Sequence, residues 1–173
     1  HLFEALAIDD IQHACDEFRR LYDSSHGGDG YVSLEVSPVL SHDTQGTIEA
    51  AERLWKKVAR PNVMIKIPAT PEGLPAVTEV ISQGINVNIT MIFSIETYVD
   101  TANAYLAGLE KRAAAGKPID KIASVASVFV SRIDTAVDKV LEEKIAHDQP
   151  QLKALLGKTG VANLKLIYGR YKE

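Results

Sequence analysis

Two side chains that could do covalent chemistry stand in short segments that are otherwise apolar. Lys66 lies between two isoleucines, and Glu35 lies between a leucine and a valine. A lysine amine that is desolvated in such surroundings is the nucleophile that forms a Schiff base with a carbonyl substrate. A carboxylate beside it could transfer the protons that imine formation requires, directly or through a water molecule. The two residues therefore indicate carbonyl chemistry, provided that their segments are neighbouring strands.

Polar residues in two further segments add binding groups to this pair. Asn86, Asn88 and Thr90 alternate with apolar residues in one segment, and Ser127 stands in the other. Their amide and hydroxyl groups are of the kind that bind sugar hydroxyls. Arg132 follows at an expected helix start, where a guanidinium and free backbone N–H groups together would hold a phosphate.

Each of these residues also has a purely structural interpretation. Lys66 could lie at a strand end and extend its ammonium group to water, with Glu35 as an ion-pair partner only. The asparagines and the threonine could line a water-filled cavity. Arg132 could be a solvated helix residue. Residue type and spacing alone leave these alternatives open.

The hydrophobic pattern alternates between helical and strand periods along the chain. It predicts strands over residues 31–37, 62–68, 85–92 and 122–130. It predicts helices over residues 9–22, from Thr44 to before Pro61, and over residues 71–81, 94–109, 131–147 and 160–172. We expect Asp9 or Asp10 to cap the first helix and Ser94 to cap the fourth. Strands separated by helices in this way form a parallel sheet.

The two faces of this sheet differ in polarity, which decides between an open sheet and a barrel. The period-two rule places the polar residues on one face: Ser33, Glu35, Lys66, Asn86, Asn88, Thr90 and Ser127. The opposite face is apolar and suits covering helices: Val32, Leu34, Val36, Val63, Ile65, Ile67, Val87, Ile89, Met91, Val128 and Val130. A buried carboxylate and amine are costly unless they are paired or used, and a barrel interior that serves as an active site explains them. Because a complete barrel needs about 250 residues, we predict an α/β fold with about four consecutive βα units of a (β/α)8 TIM barrel.

Composition excludes several other classes of function. The 173 residues are 46% hydrophobic and 24% charged with net charge −4, and no basic stripe is present, so nucleic acid is not an expected partner. A single cysteine favours a reducing compartment, which we take to be the cytoplasm, and no stretch is apolar enough to indicate a membrane segment. The five histidines have no paired spacing, so no metal is expected.

Four motifs resemble those of the transaldolase family, in the order in which that family carries them. They are YVSLEVSP at 31–38, PNVMIKIPAT at 61–70, GINVNITMIFS at 84–94 and SVASVFVSR at 124–132. The resemblance implies that Lys66 is the Schiff-base lysine and that Glu35 and Thr90 position the catalytic water and relay protons. It implies that Asn88 and Ser127 hold the sugar chain and that Arg132 binds the phosphate. No cofactor is implied.

The resemblance also implies the reaction. The family moves a dihydroxyacetone unit from a ketose phosphate, such as sedoheptulose 7-phosphate or fructose 6-phosphate, to an aldose phosphate in the pentose phosphate pathway. The strands here resemble the third to sixth of the barrel, so residues 1–173 are expected to be the central part of one barrel domain. The family's essential aspartate on the first strand has no counterpart among them.

Two hypotheses of different classes follow. The chain is part of a transaldolase, with another Schiff-base aldolase as the alternative enzyme. Otherwise it is a catalytically inactive barrel fragment that binds sugar phosphates, associates with itself or pairs with the missing part of the barrel.

Overall fold

Helices and strands alternate along the whole of the computed structural model, which describes residues 2–173. The helices are α1 Leu2–Ser24, α2 Thr44–Val58, α3 Gly73–Gln83, α4 Ile95–Ala114, α5 Ser131–Ala146 and α6 Thr159–Tyr171. The strands are β1 Val32–Glu35, β2 Val63–Pro68, β3 Val87–Ile92 and β4 Ser124–Val128. Two short 3-10 helices are formed by Pro38–Leu40 and Pro150–Leu155. Among these residues, every helix is too short or too polar to traverse a lipid bilayer.

The strands form one parallel sheet in the order β1-β2-β3-β4. Each strand therefore pairs with the next one along the chain, as consecutive βα units require. This arrangement confirms the predicted α/β fold and is that of part of a (β/α)8 barrel.

The apolar face of the sheet packs under α1, α2, α3 and α4. Its core consists of aliphatic side chains that the strands and helices bury together: Val36, Leu54, Ile65, Ile67, Val77, Val80, Ile81, Val87 and Ile89. Several predicted boundaries hold because their capping groups are present. Asp43 caps α2 by accepting from the Gly46 N–H, Ser94 caps α4, and Gly84 ends α3 with a left-handed φ of 96°.

The opposite face is concave. The Asn88 amide on β3 donates to the Ser33 hydroxyl on β1 at 2.9 Å, although β2 lies between these strands. In a flat sheet, strands two positions apart are separated by about 9.6 Å, twice the spacing of neighbours. The two short side chains can meet only if the sheet curves towards this face, as a barrel wall does.

The first helix is longer than predicted. It begins at Leu2, so Asp9 and Asp10 lie within the helix and cap nothing. Glu4 in the first turn bonds Arg53 and Lys57 of α2. These tertiary ion pairs hold the first turn of α1 against α2.

A β-bulge in β3 corrects the assignment of Met91 to the apolar face. The pairing of β3 with β4 changes register between Ile89 and Ile92, and Met91 has a left-handed φ of 64° and an exposed fraction of 40%. The extra residue shifts the alternation, so Ile92 takes the buried position instead. On the last strand, Val130 lies beyond the end of β4 and precedes α5.

Candidate active site

Glu35, Lys66 and Asn88 lie side by side on three neighbouring strands. Glu35 is the register partner of Lys66, and Lys66 is that of Asn88. Register partners in a parallel sheet point to the same face, so the three side chains form one row across the concave face. Lys66 is the fourth of six residues in β2, which places it in the body of the strand and not at its end.

The amine and the carboxylate in this row form an ion pair. Lys66 Nζ lies 3.3 Å from a Glu35 carboxylate oxygen, and the two side chains are 28% and 50% exposed. The pair is therefore open to solvent and to a substrate. A carboxylate at this distance can exchange a proton with the amine or with a water molecule beside it.

Asn88 is held at both ends of its amide group. Its Nδ2 donates to Ser33 Oγ at 2.9 Å, and its Oδ1 accepts from Ser127 Oγ at 2.7 Å. Residues on β1, β3 and β4 are thereby connected across the concave face. The network fixes the rotamer of Asn88 next to Lys66, which is how a group that binds substrate is held in position.

The hydroxyl of Thr90 is buried and, within the described part of the chain, has no hydrogen-bond partner. Thr90 lies two residues beyond Asn88 on the same strand and has an exposed fraction of 1%. A buried hydroxyl without a partner is unfavourable by roughly 1–3 kcal/mol. This hydroxyl therefore has a hydrogen-bonding capacity that the described residues leave unused.

Asn86 has a different role from Asn88, although the two share one face of the sequence pattern. Its amide donates to the carbonyls of Pro61 and Val63, and its oxygen accepts from the Ala123 N–H. All of its polar atoms thus join the start of β3 to the neighbouring segments. Asn86 is a structural residue at the amino end of the sheet, outside the row.

Arg132 lies at the second residue of α5, immediately beyond the carboxyl end of β4. Its side chain is exposed, and its guanidinium carbon lies 4.5 Å from the centre of the Phe129 ring. Because α5 begins just beyond the carboxyl end of β4, its first N–H groups lie at that end of the sheet, and no side chain caps them. Active sites of α/β barrels lie at this carboxyl end.

Three residues of the site were missed by the sequence reasoning. Ser33 bonds Asn88, and Phe129 and Phe93 stack beside Arg132 with ring centres 5.1 Å apart. Ser33 was placed on the polar face but given no role. Phe129 was detectable in principle, because it stands two residues after Ser127 and three before Arg132. Phe93 carried no such signal.

Residues 2–173 contain no set of side chains arranged to bind a metal ion. No group of three or more His, Cys, Asp or Glu side chains converges there in a way that could hold an ion. The groups that do converge are an amine, a carboxylate, an amide and hydroxyls, which suit a polyhydroxylated carbonyl compound.

Comparison with known proteins identifies a matching family model and several similar sequences. The family model for transaldolase/fructose-6-phosphate aldolase matches residues 1–173. The chain is 51% identical to the transaldolase of Trichodesmium erythraeum over 99% of its length and 47% of that protein's. It is 54% identical to the transaldolase of Mycolicibacterium smegmatis over 97% of its length and 44% of that protein's. The chain thus spans slightly less than half the length of these relatives.

Proposed function

Because this chain belongs to the transaldolase/fructose-6-phosphate aldolase family, we propose that it carries the Schiff-base centre of a transaldolase. The substrate class is a ketose phosphate, such as sedoheptulose 7-phosphate or fructose 6-phosphate, with an aldose phosphate as acceptor. The observation that carries the proposal is the Lys66 amine in mid-strand, 3.3 Å from Glu35 and beside the fixed amide of Asn88.

The first step is attack of the neutral Lys66 amine on the ketose carbonyl. The carbonyl oxygen gains two protons, one from the amine and one from a general acid, and leaves as water, so that an iminium ion remains between Nζ and the substrate. Glu35 is placed to accept the proton that the ammonium loses and to return protons to the departing oxygen. The buried Thr90 hydroxyl supports this exchange by binding the water.

The second step breaks the C3–C4 bond, which lies one bond beyond the iminium carbon C2. A base removes the proton of the C4 hydroxyl, the aldose phosphate departs, and the bonding electrons are held as an enamine on Lys66. Asn88 and Ser127 bind hydroxyls of the three-carbon unit that remains, and Arg132 holds the phosphate. Transfer to the acceptor aldehyde reverses these steps, and water then releases the product from Lys66.

Among residues 2–173, the concave face provides no separate residue for the role of the C4 base. Glu35 is committed to the water, and Asp9, Asp10 and Asp29 lie in helix or loop positions. We therefore propose that the base belongs to another part of the barrel and that these 173 residues alone form the adduct without turnover. The inactive-fragment hypothesis agrees with this expectation and differs only in denying the adduct.

Trapping with borohydride tests the proposal directly. The 173-residue chain is incubated with fructose 6-phosphate or with dihydroxyacetone, reduced and digested, and the modified peptide is identified by mass spectrometry. We expect a stable adduct on Lys66 with both compounds. The uncleaved hexose phosphate on Lys66 would indicate that the C4 base is absent, whereas a three-carbon adduct from fructose 6-phosphate would place it within this chain.

The matched control is a lysine of α2. Lys57→Met removes an amine that pairs with Glu4 and lies away from the row, so the adduct should persist in that variant and disappear in Lys66→Met. Modification of Lys57 or Lys121 in place of Lys66 would refute the assignment.

A further inference from the structure

Three planar groups are stacked at the carboxyl end of β3 and β4. The rings of Phe93 and Phe129 lie 5.1 Å apart with an interplanar angle of 12°, and the Arg132 guanidinium carbon lies 4.5 Å from the Phe129 ring centre. We call this arrangement of Phe93, Phe129 and Arg132 the aromatic stack. A cation over an aromatic face is attracted by the ring quadrupole, and the contact also limits the directions in which a long side chain can point.

The bulge at Met91 brings Phe93 into the stack. In an unbroken strand Phe93 would alternate with Asn88 and Thr90 and point towards the covering helices. The extra residue instead pairs Ile92 with Val128, and both face the helical layer. The next residues on the two chains, Phe93 and Phe129, therefore fall together on the opposite face.

Hydrogen bonds to the backbone of each phenylalanine hold the two residues in this position. The Phe129 N–H donates to the Ile92 carbonyl at 3.0 Å, which sets the two phenylalanines side by side. The Asn163 amide of α6 donates to the Phe93 carbonyl at 2.9 Å. The backbones of the two phenylalanines are thus attached to the sheet and to α6, whereas Arg132 is exposed and would otherwise be free to adopt many rotamers.

From this geometry we infer that Phe129 and Phe93 are positioning residues for Arg132, holding its guanidinium where a substrate phosphate binds. Phe129 acts through direct contact, and Phe93 acts through Phe129. The inference rests on the proposed function, because it takes the phosphate-binding role of Arg132 as given. It adds that the bulge in β3 serves the phosphate site through Phe93.

The stack itself is tested by NMR of the 173-residue chain. Protons over an aromatic face are shifted upfield, so the Arg132 Hε and Hδ resonances should lie upfield of those of exposed Arg20. The displacement should be lost in Phe129→Leu and reduced in Phe93→Leu. Phe93→Tyr keeps a ring at this position and should restore it. Phe18→Leu, which removes a half-exposed ring on α1, is the matched control and should change nothing.

A titration with inorganic phosphate, followed at the same Arg132 resonances, tests whether the aromatic stack strengthens phosphate binding. A cation–π contact at an exposed site corresponds to about a two- to fivefold change in affinity, so Phe129→Leu should weaken phosphate binding by this factor. Phe93→Leu should weaken it less, and Phe18→Leu should leave it unchanged.

The outcomes separate the inference from the function on which it rests. Unchanged Arg132 resonances and unchanged phosphate affinity in Phe129→Leu would overturn the inference while leaving Arg132 as a phosphate ligand. If Arg132→Gln bound phosphate as tightly as the original chain, or if phosphate never affected Arg132, the proposed role of Arg132 would fail and the positioning role with it.

Discussion

Asn86 and Asn88 stand two residues apart on one strand segment, and their replacement by alanine should have different consequences for stability and for adduct formation. Asn86 is 3% exposed, accepts from the Ala123 N–H at 2.9 Å and donates to two carbonyls at 3.3 Å each. Asn86→Ala removes the side-chain partner of one backbone N–H and two backbone carbonyls at a buried position. An unsatisfied buried group costs about 1–3 kcal/mol, and the two longer bonds add less, so we expect a loss of about 2–4 kcal/mol in the free energy of unfolding.

Asn88→Ala should be milder for stability. The hydroxyls of Ser33 and Ser127 that it leaves behind are only partly buried and can turn to water on the concave face. The expected loss is about 1 kcal/mol. The same change removes the amide beside Lys66, so the yield of the dihydroxyacetone adduct should fall in Asn88→Ala.

Urea unfolding followed by circular dichroism measures the difference. With a slope of about 2 kcal/mol per molar urea, Asn86→Ala should lower the midpoint by about 1–2 M and Asn88→Ala by about 0.5 M. The reasoning is refuted if Asn88→Ala lowers the midpoint at least as much as Asn86→Ala. A fully stable Asn86→Ala variant that no longer forms the adduct would instead move Asn86 into the site.

Three further predictions concern the phosphate, the cysteine and the sheet edges. In a protein that supplies the rest of the barrel, Arg132→Ala should mainly raise KM for phosphorylated substrates, because a phosphate contact is much the same before and during the reaction. An equal loss with an unphosphorylated ketose would contradict this. Burial raises the pKa of the Cys15 thiol to about 11, so the unfolded chain ionises first as pH rises. Between about pH 9 and pH 11 the free energy of unfolding should therefore fall by up to about 1.4 kcal/mol per pH unit, and less steeply in Cys15→Ala. Identical pH profiles of the two proteins in urea unfolding would refute this. The edge strands β1 and β4 carry unpaired backbone groups, so light scattering should detect self-association of the 173-residue chain. Because the C4 base is not among these residues, a coupled assay should detect no turnover. A monomer with full activity would disprove both expectations.

The sequence was sufficient to predict the alternating elements and the two faces of the sheet. Strand and helix periods differ, and the breaks between them carry residues with specific conformations, such as Gly84 and the capping Ser94. The row of Glu35, Lys66 and Asn88 could be predicted because consecutive βα units pair neighbouring strands. The side-chain positions then follow from the period of two.

Features that depend on packing could not be predicted in this way. The pattern treats Asn86 and Asn88 alike, and only the approach of the Ala123 N–H distinguishes them. The bulge at Met91 leaves no mark in composition, since methionine is an ordinary strand residue and a left-handed φ is usually filled by glycine. A strict period of two, which ignores the bulge, assigns Phe93 to the wrong face, so the pattern does not predict the aromatic stack.

The division of the site between strands and a helix start has a consequence for how its variants should behave. Lys66 and Asn88 project from the bodies of strands whose backbones are fixed on both sides by ladder hydrogen bonds. Arg132 projects from a helix end and owes its direction to a ring contact worth far less than a strand ladder. Chemical steps tolerate little displacement of the reacting atoms, whereas a phosphate remote from the broken bond tolerates more.

Changes in the row should therefore act on the rate of adduct formation, and changes in the aromatic stack should act on affinity for phosphorylated substrates. A variant of Phe93 that slowed trapping by unphosphorylated dihydroxyacetone as much as a variant of Asn88 does would show that the two parts of the site are not independent.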